Sequence, residues 1–471
     1  MDNTPIFAKV AASNKLSAIN IVDQLKRKKV CRFPDLSELQ VARHYTKLST
    51  LNFGVDSGMY PLGSCTMKYN YKILERLASL NGFLQLHPFQ DDQDCQGVLE
   101  LLYKMERNLS ELFGYSGFSL QPTAGAQGEH TGLLIIREYL NANNDERDLV
   151  LIPDSAHGTN PASAVMAGFR VKKVPSDNWG NVDIDKLKEM LSKEKVAAFM
   201  LTNPSTLGLF ENNILLISQM IHENGGLLYY DGANANALMG KIRPGDMGFD
   251  VCHLNLHKTF GTPHGGGGPG SGPVGVVSRL VPYLPGPIII KDEEGYKWQH
   301  QTGTEIGRMH GFYGNVNVAI KAYVYFLLHG GKGLKEASER AVENANYMMN
   351  KIKAIIDLPF DRVCMHEFVI SAEKLKKETG VSALDIAKAL IDKGYHPPTI
   401  YFPLIVHECL MIEPTETEDK ETMDRFIQAF QEIVDEAKTS PEKIKSAPIT
   451  RIVGRLDEVK AVKEPKLTFF S

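Results

Sequence analysis

The feature that most constrains this chain is an alternation. From residue 100 to 330, short apolar runs of strand length are separated by segments whose apolar residues recur at helical spacing. The run Asp148-Leu-Val-Leu-Ile-Pro153 and the segments Arg170–Pro175, Val196–Thr202, Leu227–Tyr230, Val251–Leu256 and Val274–Ser278 are predicted strands. Between or before them, Val98–Leu112, Ile184–Leu191 and Ile214–Asn224 carry helical periodicity, and Gly225-Gly226 closes the last of these. Strands apolar on both faces need cover on both sides. Strand–helix alternation supplies it, which predicts an α/β protein with a mostly parallel sheet covered by helices. Beyond residue 330, long helical segments (Leu334–Ile356, Ala383–Asp392, Lys420–Ala437) flank a short strand at Glu367–Ser371, which predicts a smaller α+β C-terminal domain. Gly330-Gly331-Lys-Gly333 is the expected hinge. The expected division is residues 1–100 as an N-terminal arm with helices, 101–330 as the large domain and 331–471 as the small one.

Composition closes several other routes. The 471 residues carry a net charge of −4, so no basic field is available for nucleic acid. No stretch approaches the ~20 apolar residues of a membrane span. The best candidate, Leu284–Ile290, is short and broken by Pro285, Gly286 and Pro287. Met1–Lys15 is polar and mixed, without the basic and apolar regions of a signal peptide, so a cytoplasmic protein is expected. Cysteines at 31, 65, 95, 252, 364 and 409 form no CxxC pair, which predicts reduced thiols with neither a disulfide scaffold nor a zinc site.

Chemistry concentrates in His253-Leu-Asn-Leu-His257-Lys258-Thr-Phe-Gly-Thr262, followed by Pro263-His264 and Gly265–Gly268. A lysine just past a buried strand is partly desolvated, which favours a neutral amine able to form a Schiff base with an aldehyde cofactor. By itself a lysine before glycines is a surface turn. Three companions change that. Asp231 ends the strand Leu227–Tyr230, where a carboxylate can pair with a protonated pyridine nitrogen. Pro122-Thr-Ala-Gly-Ala-Gln-Gly-Glu129 opens a helical stretch, His130–Leu140, with small residues suited to an anion. His157 follows the strand ending at Pro153 and could lie flat on such a ring. Lysine, aspartate, histidine and phosphate loop all fall at ends that one sheet would gather, and together they describe a pyridoxal-phosphate site. There is no GxxxxGK[ST] loop, no GxGxxG opening a helix after a strand, and no GxSxG elbow.

At these residues the chain resembles the P-protein family of the glycine cleavage system, and within it the second subunit of the two-subunit form. The resemblance is carried by Gly63-Ser-Cys-Thr-Met-Lys68, Ala124-Gly-Ala-Gln-Gly-Glu129, Asp154-Ser-Ala-His-Gly-Thr-Asn-Pro-Ala-Ser-Ala164, Thr202-Asn-Pro-Ser-Thr-Leu-Gly208, Asp231-Gly-Ala-Asn-Ala-Asn-Ala237 and Leu254-Asn-Leu-His-Lys-Thr259. It continues through Ile306-Gly-Arg-Met-His-Gly-Phe-Tyr-Gly-Asn315, His396-Pro-Pro-Thr-Ile-Tyr-Phe-Pro403 and Glu413-Pro-Thr-Glu-Thr-Glu418. Tyr71 stands where the pattern expects proline, and Gly261 where it expects serine.

The resemblance implies a fold-type-I PLP-dependent transferase fold and pyridoxal 5'-phosphate as cofactor, with no metal. It implies glycine decarboxylation with transfer of the aminomethyl group to the lipoyl arm of H-protein. The implied partner is the homologous first subunit in a heterotetramer, since 471 residues is about half the length of the single-chain form. Carried onto this sequence, Lys258 holds the cofactor, Asp231 pairs with the pyridine nitrogen and His157 stacks on the ring. Gly125, Ala126 and Gln127, with His257 and Thr262, are phosphate candidates, and Asn203 and Thr206 are candidates for the pyridine oxygen or substrate. Ser64, Cys65 and Arg308 are candidates for the substrate channel. The lysine, aspartate and histidine alone would also suit a Group II-like decarboxylase or an aminotransferase. A non-catalytic scaffold subunit is a further alternative, against which Lys258 argues.

Overall fold

The computed structural model describes residues 6, 22–25, 28, 34, 36–265, 268–300 and 303–468. Cys31, Gly266, Gly267 and all of Met1–Lys15 except Ile6 lie outside the described residues. Two compact units are present, one drawn from Met1–Gly58 and Ile452–Ser471, the other Met59–Arg451. In the first, helix α1 (Glu38–Ser49) begins with a capping box: Gln40 N–H donates to Ser37 Oγ and Ser37 N–H donates to Gln40 Oε1. The helix Glu458–Lys463 is capped by the Asp457 carboxylate.

The second unit opens with the short helices α2 (Lys72–Ala78) and α3 (Asn81–Leu84) and then α4 (Gln96–Phe113). Its centre is a seven-stranded sheet built from β1 (Gly117–Ser119), β2 (Leu149–Pro153), β3 (Arg170–Val174), β4 (Val196–Thr202), β5 (Leu227–Gly232), β6 (Val251–Leu254) and β7 (Val274–Val276), in the order β1-β7-β6-β5-β4-β2-β3. Strands β2 to β6 pair in parallel, while β7 runs antiparallel to both its neighbours. The connecting helices are α5 (Gly125–Ala142), α6 (Thr159–Met166), α7 (Ile184–Lys193) and α8 (Ile214–Glu223), with the four-residue α9 (Leu256–Thr259) after β6.

Period-two alternation puts strand side chains on both faces. Leu149, Leu151, Phe199, Leu201 and Tyr230 join one core with α4. Val150, Ile152, Ala198, Met200 and Tyr229 join another with Leu133, Ile136 and Leu140 of α5. Helix α8 ends where Gly225 takes φ +85°, and the N–H groups of Gly225 and Gly226 donate to His222 O and Ile221 O.

Helix α10 (Val316–Ile352) begins 18 residues before the expected Leu334, and the glycine hinge is a single non-helical residue within it, Gly330, at φ 57° and ψ −177°. Beyond it lie α11 (Glu373–Thr379), α12 (Ala383–Asp392) and α13 (Lys420–Thr439). With a hairpin β8 (Ile288–Asp292) and β9 (Gly295–Gln299) already formed earlier in the chain, the remaining strands β10 (Phe368–Ser371), β11 (Thr399–Ile400) and β12 (Cys409–Ile412) make a separate antiparallel sheet. Its own core includes Phe368, Ile370, Leu410, Phe426 and Phe430. Cys95, Cys252, Cys364 and Cys409 are buried free thiols, and Cys65 is a half-buried one. Among the described residues, no helix is long and apolar enough to cross a membrane.

Candidate active site

The carboxyl ends of β2, β4, β5 and β6 open onto a cavity of about 230 Å³. Lys258, on α9 immediately after β6, lines it. So do Asp231 at the end of β5, His157 after β2, Thr206 after β4, Gly125 and Ala126 at the start of α5, His257, and Ser64. Eight residues predicted from sequence are therefore brought together, from segments separated by up to 194 positions.

Asp231 is buried at 3 % exposure. Burial alone would push its carboxyl up, but His253, the Asn160 amide, the Ala233 N–H and Lys258 hold it below the usual carboxylate range. Asn160 Nδ2 donates to Asp231 Oδ2 over 2.8 Å, Ala233 N–H donates to Oδ1 over 3.0 Å, and His253 Nε2 stands 3.2 Å from Oδ1. This is an anion fixed in place, suited to a positive partner. Burial, aided by Lys258 and His264, lowers the His257 pKa to about 3, so that imidazole is neutral.

The first turn of α5 has no side-chain cap bond. Its open N–H groups face the need of an anion. Glycines on both sides allow the loop after α9 and the start of α5 to come this close: a Cβ on Gly272 would stand 2.1 Å from Ala124 O, and one on Gly125 would stand 2.5 Å from Asn255 Oδ1. Thr262 Oγ1 and Asn255 Oδ1 are buried without a hydrogen-bond partner. An acceptor for a pyridinium, a lysine for an aldehyde and an uncapped helix start for a phosphate are thus held around one cavity, and these residues fit pyridoxal 5'-phosphate.

Other predicted residues do different work. Gln127 braces the loop before α5, accepting from Thr123 N–H over 2.7 Å and donating to Met309 O over 3.1 Å. Asn203 is fully buried, and its Oδ1 accepts from Glu211 N–H. Thr206 donates its hydroxyl to Ser155 O. Neither Gln127, Asn203, Thr262, Cys65 nor Arg308 lines the cavity. Arg308 is exposed, its guanidinium 5.2 Å over the Phe89 ring. Cys65 neighbours the site: burial raises its thiol pKa, against the opposing pull of Lys258. Ser64 sits at φ 67°, and its N–H donates to Glu367 Oε2 over 2.7 Å.

Several lining residues were not read from the sequence: Glu129, Thr159, Thr202, Asn234, Asn255, His366 and Glu367. Glu129 and Thr159 sit inside motifs already singled out, so proximity was a usable signal. His366 and Glu367 precede β10 in the C-terminal region, and nothing in their local sequence points to the cavity. With Glu413 they form a buried cluster whose ligand atoms lie within 4.8 Å of one another.

The family model "Glycine dehydrogenase, C-terminal domain" matches residues 337–450, and "Aminotransferase class-V" matches 128–267. A Desulforamulus reducens protein named "Probable glycine dehydrogenase (decarboxylating) subunit 2" is 55% identical over 95% of this chain and 92% of its own length. A protein of the same name from Halalkalibacterium halodurans is 56% identical over 94% and 91%. The chain belongs to the glycine dehydrogenase (decarboxylating) subunit 2 family. Among solved structures, a glycine decarboxylase (P-protein) of the glycine cleavage system in inhibitor-bound form aligns with TM-score 0.72 at 19% identity, covering 87% of this chain and 92% of that one. A Lactobacillus brevis glutamate decarboxylase aligns with TM-score 0.66 at 15% identity, covering 93% and 98%. These likenesses show the fold-type-I PLP-dependent transferase fold.

Two departures from the subunit 2 pattern meet in space. Gly261 has φ +62°, and a Cβ there would stand 2.8 Å from the Tyr325 ring. Tyr71 packs its own ring 6.2 Å from that of Tyr325. A serine at 261 therefore has neither the backbone conformation nor the space it needs.

Proposed function

We propose that this chain is the pyridoxal-phosphate-binding subunit of a glycine decarboxylase that passes the aminomethyl group to the lipoyl arm of H-protein. The supporting observation is the gathering of Lys258, the ionised Asp231 and the uncapped start of α5 around one cavity. The high identity to subunit 2 relatives favours glycine over the substrates of other enzymes of this fold.

When bound, pyridoxal phosphate supplies an electron sink for the Cα–carboxylate bond of glycine. Lys258 is the amine that would hold the cofactor aldehyde, beside the space the glycine amine would enter. Asp231 would keep a positive ring nitrogen charged, and the first turn of α5 with His257 would anchor the phosphate. The cavity walls restrict water and orient the breaking bond. In the overall reaction CO2 leaves, Cα bonds to one sulfur of the lipoyl disulfide, and the other sulfur takes a proton. The disulfide is the oxidant. The relatives' name "subunit 2" supports a first subunit as partner; the heterotetramer and the cytoplasmic setting are part of the proposal. The same reading assigns residues 101–330 to the large domain and 331–471 to the small one.

The test is Lys258. Borohydride reduction of the protein with its cofactor should fix the label on Lys258, and Lys258→Ala should lose both the label and glycine–CO2 exchange. Retention of either in the variant refutes the reading.

A further inference from the structure

Glu129 lies on α5 just past its first turn, is 5 % exposed and lines the cavity. Thr159 Oγ1 bridges it to His157: it stands 2.7 Å from Glu129 Oε1 and 2.8 Å from His157 Nδ1. The Thr159 backbone N–H also donates to His157 Nδ1, over 3.2 Å. An Nδ1 that accepts the amide proton carries none of its own. Thr159 has a single hydroxyl proton for two short contacts. An ionised Glu129 takes that proton on Oε1 and leaves Nδ1 to the amide alone. A protonated Glu129 donates to Thr159 Oγ1 instead, and the Thr159 hydroxyl then turns to Nδ1. Glu129 Oε2 meanwhile accepts from Ser163 Oγ over 3.0 Å.

The surroundings favour the protonated form. Asp231 from β5 and His253 from β6 face Glu129, with ligand atoms of all three within 4.8 Å of one another. Two buried carboxylates this close do not both ionise readily. Asp231 has the Asn160 and Ala233 donors and Lys258 nearby, so it keeps the charge. The remaining titratable neighbours are His157 itself and the buried Tyr229 phenol. Burial and the Asp231 charge together raise the Glu129 carboxyl to about 7. Partial desolvation, against the opposing pull of Asp231 and aided by the Lys258 charge, holds His157 below the ordinary histidine value.

We propose that Glu129 is a protonated positioning residue which, through Thr159, locks His157 in the tautomer whose only N–H is on Nε2. The location of the proton is a property of this chain alone. Its use against a bound pyridine ring rests on the pyridoxal-phosphate reading above.

The test is histidine-selective ¹⁵N NMR of the full-length, cofactor-free chain, with the His157 signals identified by their loss in His157→Gln. At about pH 6, where a carboxyl raised this far is mostly protonated, His157 should show a bare, hydrogen-bonded Nδ1 and a protonated Nε2. Raising the pH to about 9 should shift the Nδ1 resonance as Glu129 ionises and the Thr159 hydroxyl turns away. In Glu129→Gln, whose amide can donate to Thr159 at every pH, that shift should vanish. A protonated Nδ1 in the wild type overturns the proposal, as does an Nδ1 shift that persists in Glu129→Gln. If Glu129→Gln does not fold, the wild-type tautomer and its titration decide alone. Borohydride labelling of Lys258 is read separately, so failure of the cofactor reading is distinguishable from failure of this one.

Discussion

Replacing Lys68 should loosen the site without touching its lining. Lys68 is 3 % exposed, and its ammonium is 2.7 Å from Glu416 Oε1. It also donates to Asn236 Oδ1 over 2.7 Å and to Thr259 O over 2.9 Å, with Tyr325 Oη at 3.5 Å. Thr259 is the last residue of α9, so a buried cation sits on the carbonyl of the residue after Lys258. Lys68→Met keeps the stem volume and removes the charge. Glu416 then stays buried, at 8% side-chain exposure, with the Asn236 amide still donating to it over 3.1 Å. Breaking a buried pair this way costs ~3–5 kcal/mol. Because Glu416 keeps a hydrogen-bond donor, we expect the low end, ~3 kcal/mol. Urea unfolding of wild type, Lys68→Met, Glu416→Leu and the double variant forms a cycle. The double variant should be less destabilised than the sum of the singles by at least ~2 kcal/mol, because no lone charge remains. A Lys68→Met cost below ~1 kcal/mol, typical of surface pairs, would refute the reasoning.

Two further outcomes test the core and the loop beside the lysine. Glu106 is buried, accepts from the Tyr313 hydroxyl, and burial raises its carboxyl to about 8. A raised folded pKa means that the stability it allows is fully present below the unfolded value and is lost as pH rises to about 8. Over that window the loss is at most ~4–5 kcal/mol, and Glu106→Gln should flatten the fall in urea midpoint between about pH 5 and 8. An unchanged slope contradicts the burial argument. Gly261→Ser should destabilise by ~1–3 kcal/mol through the left-handed backbone and the Tyr325 contact, read as a lower melting midpoint. A neutral or stabilised variant would show that the loop has room it does not display.

How much of this was legible in the sequence differs by element. The strand Val196–Thr202 and the helix Ala383–Asp392 were readable to the residue, because a fully apolar run and an amphipathic repeat are local signals. The start of α5 was not. The helix opens at Gly125 rather than His130, because glycines of low helix propensity are held there by packing against Asn255, His253 and Gly272. The helix α10 was half missed for a related reason: Gly330 interrupts the pattern but breaks only one residue of the helix.

At the site, the sequence by itself determined the residue types and their strand-end positions: a lysine after β6, a carboxylate closing β5, a histidine after β2 and small residues before α5. Parallel strands put such ends on one side of a sheet, so those four could be assembled from pattern alone. Only the tertiary structure decided which neighbours reach the cavity. Gln127 lies between Ala126 and Gly128, yet its amide turns back to Thr123 and Met309. Arg308 lies over Phe89. His366 and Glu367, more than a hundred residues past Lys258, line the cavity instead. Side-chain direction and long-range approach are set by packing across the whole unit, and no local pattern encodes them. The proton on Glu129 belongs to the same class, since it depends on an Asp231 that is 102 residues away in sequence and within 4.8 Å in space.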